Sequence, residues 1–232
     1  MPEDAEPWTH NSHYHRVIFE AMPARCERVL DVGCGTGRLT RELRRVIPQV
    51  TGVDRDRRSI EVARARALAG AARSSGVAEA ARSSTAAGDI EYLCGDFLDL
   101  PCAPGGFDLV TAVASLHHMD TAAALTRMRD LLRPGGVLVV IGLARNGLSR
   151  DLAVEIPAFV YLRIERRRHG RPSGEQASPD VASPDAAYLA PVVWPPAETY
   201  QQMRRLAGRL LPGMRYRRHL LWRYSISWVK PG

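Results

Sequence analysis

Val29-Leu30-Asp31-Val32-Gly33-Cys34-Gly35-Thr36-Gly37 runs from an apolar strand into three closely spaced glycines, and Arg38 to Val46 continues it as an amphipathic helix. Glycines so placed let the backbone turn sharply and approach a ligand closely. The same succession recurs downstream. Gln49 to Asp54 reads as a strand ending in an acid, Ser59 to about Ala72 as a helix, and Glu91 to Cys94 as a short extended segment. Phe107 to Ala114 is a further strand, Thr121 to Leu132 a helix, and Val137 to Leu143 a wholly apolar strand introduced by the turn Pro134-Gly135-Gly136. Strands alternating with helices specify an α/β fold whose parallel strands are joined by helical crossovers.

Around this core lie a head, a tail and two interruptions. Ala71-Ala72-Arg73-Ser74-Ser75 recurs as Ala80-Ala81-Arg82-Ser83-Ser84 within residues 70–88, and Ala-Ser-Pro-Asp occurs twice within residues 169–187. Both stretches are poor in large apolar residues and are expected as loops or partly disordered insertions, the second as a candidate lid. In the tail, residues 190–232, Thr199 to Leu211 is an amphipathic helix ended by Pro212-Gly213. Trp222, Tyr224, Ile226 and Trp228 then fall at period two, the pattern of a half-buried strand, with Met214 to His219 as its expected antiparallel partner. With residues 1–25 as an N-terminal cap, residues 1–232 read as a single domain.

The 232 residues are 45% hydrophobic and 25% charged, enough for one sizeable core. The formal charge is +7, but 31 of the 32 basic residues are arginine, Lys230 being the one lysine. Codon usage in a GC-rich genome explains that bias better than selection for nucleic acid. No run approaches the length of a membrane span, and the N-terminus lacks the pattern of a signal peptide, so neither membrane insertion nor export is expected. Cys26, Cys34, Cys94 and Cys102 form no CxxC pair. They read as reduced thiols of a cytoplasmic protein, and no metal site is expected from them.

The glycine loop narrows the ligand. After Gly33 and Gly35 a dinucleotide fingerprint needs glycine at 38, where this chain has Arg38, and no Gly-Lys-Ser or Gly-Lys-Thr marks a triphosphate cradle. Asp31 would repel a pyrophosphate and attract an amino group. Asp54, 23 residues on, ends the second strand where a carboxylate can take two ribose hydroxyls. Together they describe S-adenosylmethionine. Here the chain resembles the class I S-adenosylmethionine-dependent methyltransferases over nearly its whole length. Val29 to Gly37 is similar to that family's first motif, Gly52-Val53-Asp54 to its ribose-binding acid, and Gly95-Asp96-Phe97 to its adenine motif. Phe107-Asp108-Leu109-Val110 through His117-His118, and Leu132 to Gly136, complete the series. Among its members the chain is most similar to the small-molecule enzymes of ubiquinone and menaquinone biosynthesis. The head Trp8 to His15 and the segment Trp222 to Pro231 resemble a group of uncharacterised actinobacterial members.

The resemblance implies a Rossmann-like, doubly wound, seven-stranded sheet of order 3-2-1-4-5-7-6 with strand 7 antiparallel and helices on both faces. It places the cofactor at the carboxyl ends of strands one, two and four, with S-adenosylhomocysteine as product. The implied cofactor-binding set is Tyr14, Asp31, Gly33, Cys34, Gly35, Gly37, Asp54, Arg55, Asp96, Phe97 and Ala112. Asp54 and Asp96 also suit plain helix or turn caps, and Phe97 suits the core.

His117 and His118 close the fourth strand, where methyl donor and acceptor should meet. On an extended chain their side chains point to opposite faces, so at most one reaches the substrate directly. A histidine there can take a proton from a phenol, amine or acidic carbon; in the alternative, one packs under the cofactor and the other shapes the pocket. In the head, a helix from about Asn11 puts Tyr14 on one face with His10 or Ile18. Tyr14 is then expected to reach the methionine carboxylate, and His13 or His15 to face substrate, against the alternative of a surface helix in water. Arg163, Arg166, Arg167, Arg168 and Arg171 form one basic run and Arg215, Arg217, Arg218 and Arg223 another, both read as solvated faces. No RNA-binding module is appended, so no nucleic-acid partner is expected. The activity expected is methyl transfer to an O, N or C nucleophile of a small molecule, in quinone or secondary metabolism. The alternatives are an RNA methyltransferase, or a cofactor-binding protein or cyclase that transfers no methyl group. Acceptor identity and oligomeric state are not written in these motifs.

Overall fold

Alternation along Arg28–Val32 sends Val29 and Leu30 to opposite faces of a sheet, and both are fully buried, so this strand needs cover on both sides. The computed structural model describes residues 11–77, 90–145, 196–219 and 223–232 and shows that cover. Its strands are β1 (Arg28–Val32), β2 (Gln49–Asp54), β3 (Glu91–Cys94), β4 (Phe107–Val113), β5 (Leu132–Leu143), β6 (Arg215–Arg218) and β7 (Arg223–Val229). They form one sheet in the order β3-β2-β1-β4-β5-β7-β6. Only β7 runs against its neighbours, pairing antiparallel with β5 and β6. The topology is the expected one, and it includes the C-terminal hairpin.

The helices are α1 (His15–Ala21), α2 (Arg38–Arg44), α3 (Arg57–Val77), α4 (Thr121–Leu131) and α5 (Tyr200–Leu210). On one face of the sheet, Leu30, Val110, Leu138 and Ile226 pack with Leu125 and Met128 of α4 and Met203 and Ala207 of α5. On the other, Val29, Leu109 and Val139 pack with Ile18 of α1 and Leu39 and Leu43 of α2. The start of α5 is fixed by a capping box in which Thr199 Oγ1 accepts from the Gln202 amide and Gln202 Oε1 accepts from the Thr199 amide. Such a cap contributes about 1 kcal/mol. Tyr224 of β7 lies so close to Gly142 of β5 that a Cβ there would stand 2.2 Å from its ring and hydroxyl.

Three expectations change in detail. Helix α3 continues to Val77, into the stretch read as a loop. Ala71-Ala72-Arg73 holds good helix formers and no proline, so a scarcity of apolar residues left helicity intact. Strand β5 begins at Leu132, ahead of the Pro134-Gly135-Gly136 turn, because Leu132 already pairs with Phe107. The head is a 3₁₀ turn, Ser12–Tyr14, leading into α1 rather than one continuous helix. Trp8, His10, Trp222, the run Arg163 to Arg171 and residues 78–88 and 169–187 lie outside the described residues. Among the described residues no helix is long and apolar enough to cross a membrane.

Candidate active site

The three glycines of the loop do different things. Gly33 stands at φ +71°, its amide and that of Cys34 both donating to the Val53 carbonyl at 2.7 and 3.0 Å. Gly37, at φ +74°, is required by packing, since a Cβ there would come within 2.4 Å of the Tyr92 hydroxyl. Gly35, at φ +53°, has nothing within 4 Å of where a side chain would be, so its open side is free for a ligand. The Gly35 amide donates to Asp54 Oδ2 at 2.8 Å, while Asp54 Oδ1 accepts from the Asp56 amide at 2.9 Å. The acid that ends β2 thereby holds the loop that ends β1.

A solvent-open cavity of about 140 Å³ lies at the carboxyl ends of these strands. Of the expected residues, Gly33, Asp54, Arg55, Asp96, Phe97 and His118 line it. The segment after β3 therefore contributes as well as β1, β2 and β4. Ala114, Ser115 and Met119, which sequence reasoning missed, also line it, and their only signal was their place directly after β4. Asp96 Oδ1 caps a turn by accepting from the Leu98 amide at 2.9 Å, and Phe97 is buried among core residues. Both thus combine the bland role with a place on the cavity wall.

Other expected residues stand apart from the lining. Ala112 is core, and Ala114 takes its place at the cavity. Cys34 turns its sulfur toward Gly52 and packs with Ile60, Ala63 and Tyr92 under α3, where burial pushes its thiol pKa well above the ordinary value. Tyr14 is buried with Ile18, its ring 5.0 Å from that of His219, and His13 meets it edge-on at 4.9 Å. Among the described head residues, His13 and His15 are therefore not spread in water. His15 is 7% exposed and bonds Glu42 Oε2 at 2.7 Å, which ties α1 to α2.

Asp31 is 1% exposed and sits beneath the loop rather than on the cavity wall. Its oxygens accept from the Thr40 and Thr111 hydroxyls at 2.8 and 3.1 Å. Burial pushes its pKa from 3.8 up to about 6, and the two hydroxyls and the nearby His15 offset only part of that. An acid whose folded pKa is raised binds more protons folded than unfolded between the two values. Its contribution therefore favours the fold in acid and is lost as pH rises from 3.8 through about 6. The cost at neutral pH is about 3 kcal/mol. Asp31→Asn should accordingly raise the melting temperature of the ligand-free protein at pH 7.5 by up to roughly 10 °C. Thermal denaturation at pH 7.5 and at pH 4 checks this; a gain of equal size at both would refute it.

Beyond β4 the chain does not stay extended. Ala114 adopts φ +52°, its amide donating to the Ile141 carbonyl at 2.7 Å, and Leu116–His118 then form a 3₁₀ turn. The His117 and His118 rings consequently lie 4.0 Å apart at 37° instead of on opposite faces. His118 lines the cavity and His117 does not. Burial, then the charges of His118 and Arg223, push His117 down to about 4; burial and Arg55 lower His118 against the pull of Asp54. Both Nδ1 atoms are buried with no hydrogen-bond partner among the described residues. The pair is thus neutral at pH 7 and able to accept a proton. Asp120 caps α4 through the Ala123 amide, and among the described residues no three His, Cys, Asp or Glu side chains gather as metal ligands.

Of the second basic run, Arg215 and Arg217 are exposed as expected, and Arg218 is half-buried with its guanidinium 4.1 Å from the centre of the Tyr200 ring. Arg223 departs from that reading. It is 5% exposed, and its Nη2 donates to Asn11 Oδ1 at 2.8 Å. A cation on an alternating strand reads as solvent-facing, whereas here the guanidinium is buried and bonded to the head.

A family model described as a methyltransferase domain matches residues 30–140. The chain is 31% identical to an uncharacterized methyltransferase of Mycobacterium tuberculosis over 227 residues, 97% of this chain and 98% of that one. It is 33% identical to a ubiquinone biosynthesis O-methyltransferase of Chromobacterium violaceum over 178 residues, 71% of this chain and 70% of that one. Among solved structures, an S-adenosylmethionine-dependent methyltransferase of Aquifex aeolicus is similar in fold, with a TM-score of 0.54 at 12% identity over 94% of this chain and 92% of that one.

Proposed function

The chain belongs to the class I S-adenosylmethionine-dependent methyltransferases, and on that basis we propose that it methylates an oxygen, nitrogen or carbon nucleophile of a small molecule. The observation that carries the reading is a cavity whose wall carries Asp54, Asp96, Phe97 and His118. When bound, the cofactor supplies a methyl group already activated on a sulfonium.

In this reading Asp54 accepts the ribose hydroxyls with the lone pairs left by the Gly35 and Asp56 amides. Asp96 takes the adenine amino group and Phe97 packs on the ring, with Arg55 beside the ribose. The negative charge of Asp31 acts on the methionine amino group from below the loop. Holding the nucleophile in line supplies most of the acceleration, and His118, neutral and at the cavity, takes the acceptor's proton. His117 packs against His118 and keeps its ring in place. A small, largely apolar acceptor is supported by the likeness to an O-methyltransferase of ubiquinone biosynthesis, and a cytoplasmic site of action by the four free cysteines.

Calorimetric titration of the purified protein with S-adenosylmethionine and S-adenosylhomocysteine should give micromolar binding, with none for NAD or ATP. Transfer of labelled methyl from S-adenosylmethionine to a cell extract should survive nuclease and high salt. Loss of the labelled product to nuclease would favour an RNA acceptor, since phosphate contacts are weakened by salt and RNA is destroyed by nuclease.

A further inference from the structure

Gly33, Cys34, Gly35 and Gly37 take their partners from β2 or from within the loop. The Gly33 and Cys34 amides donate to the Val53 carbonyl, the Gly35 amide to Asp54, and the Gly37 amide to the Cys34 carbonyl at 3.0 Å. Thr36 is held from the other side. Its carbonyl accepts from Arg41 Nη1 at 2.7 Å, and its Oγ1 accepts from Arg66 Nη1 at 3.1 Å. Arg41 belongs to α2, the helix that the loop itself opens, so its bond is local. Arg66 comes from α3, 30 positions along the chain.

Helix α3 comes close to the loop because small residues meet there. A Cβ on Gly37 would stand 3.0 Å from the Ala63 Cβ, and Ala63 packs with Ile60 and Tyr92. Arg64 Nη2 donates to the Tyr92 carbonyl at 2.6 Å, which pins this part of the helix to β3. Arg66 follows Ala63 by three positions and so shares its face of the helix, and its half-buried side chain crosses to the loop. At its other end α3 starts just after Asp54, with Asp56 accepting from the Ser59 amide and hydroxyl at 3.1 and 2.7 Å. One helix thus begins beside the acid of β2 and reaches back to the loop of β1.

We propose that Arg66 is a positioning residue for the cofactor, which through Thr36 holds the outer side of the glycine loop while the inner side keeps Gly33 on the cavity wall and the Gly35 amide on Asp54. Arg66 does not itself line the cavity, so it acts only through the loop. Without this tie the loop regains backbone freedom that binding has to remove again. The proposal rests on the methyltransferase reading and adds a residue to the machinery of that site.

The test is calorimetric titration of the full chain with S-adenosylhomocysteine, with thermal denaturation alongside. Arg66→Gln should weaken binding about tenfold, the cost of ordering one further residue, while the melting temperature falls by less than about 3 °C. Arg66→Lys keeps a donor and should recover part of the loss. Thr36→Val removes the hydroxyl that Arg66 reaches, so in the double variant the two losses should not multiply. A purely structural arginine would move the melting temperature and leave the affinity alone. Affinity in Arg66→Gln within about twofold of the parent, or a double variant whose loss is the product of the single losses, would overturn the proposal. Should Thr36→Val fail to fold, Arg66→Gln against Arg66→Lys decides alone. An unmutated protein that does not bind S-adenosylhomocysteine removes the methyltransferase reading itself, whereas binding that Arg66→Gln leaves intact removes only this proposal.

Discussion

Asp54→Ala should lower the affinity for S-adenosylmethionine at least about a hundredfold, because hydrogen bonds to a charged partner contribute about 1.5–3 kcal/mol each and the ribose would lose two. The same change removes the acceptor of the Gly35 amide, so the loop that should hold the methionine part loses one of its ties to β2 and keeps those of Gly33 and Cys34 to Val53. Asp54→Asn separates these effects. Its amide oxygen can still receive the Gly35 N–H, and the loss should then be nearer tenfold. Calorimetry on both variants, with circular dichroism to show an intact fold, gives the comparison. Wild-type affinity in Asp54→Ala would remove Asp54 from the cofactor site.

Gly33→Ala should be the most damaging single methyl in the loop. The added Cβ would stand 2.1 Å from Ser115 Cβ and 2.7 Å from its hydroxyl, on a backbone already at φ +71°. The left-handed conformation costs a side chain about 1–2 kcal/mol and the overlap a further 1–3 kcal/mol, so the melting temperature should fall by roughly 10 °C. Ser115 cannot simply turn away, because its Oγ donates to the Val32 carbonyl at 2.7 Å. Adding Ser115→Gly relieves the overlap but not the backbone strain, so the double variant should recover only part of the loss. A single variant as stable as its parent would contradict the close packing of β1 against the end of β4.

Most strands were legible because apolar residues run or alternate along them, and Gln49 to Asp54 keeps its expected bounds at both ends. Asp54 and Asp96 were singled out by their place just past extended segments, and both line the cavity while also holding local backbone amides. Individual glycines were not separable by sequence, because Gly37 answers to Tyr92, dozens of residues away, while no described residue lies where a Gly35 side chain would be. The convergence of His117 and His118 depends on the left-handed turn at Ala114, and alanine carries no sign of that conformation. Arg223 is buried and bonded to Asn11, 212 positions away, a contact that local pattern does not reveal, so it was assigned to solvent.

The placement of β7 between β5 and β6 has a consequence for synthesis on the ribosome. Strand β6 has no partner in the sheet until a strand made after it has slipped in beside β5, which has itself been waiting since Leu143. A nascent chain halted before Arg223 can fold the cofactor half, but it exposes an unpaired β5 edge and an unpinned head. Methyl transfer should therefore switch on abruptly once Arg223 to Val229 has been made, when that strand closes onto β5 and β6 and Arg223 reaches Asn11 in the same movement.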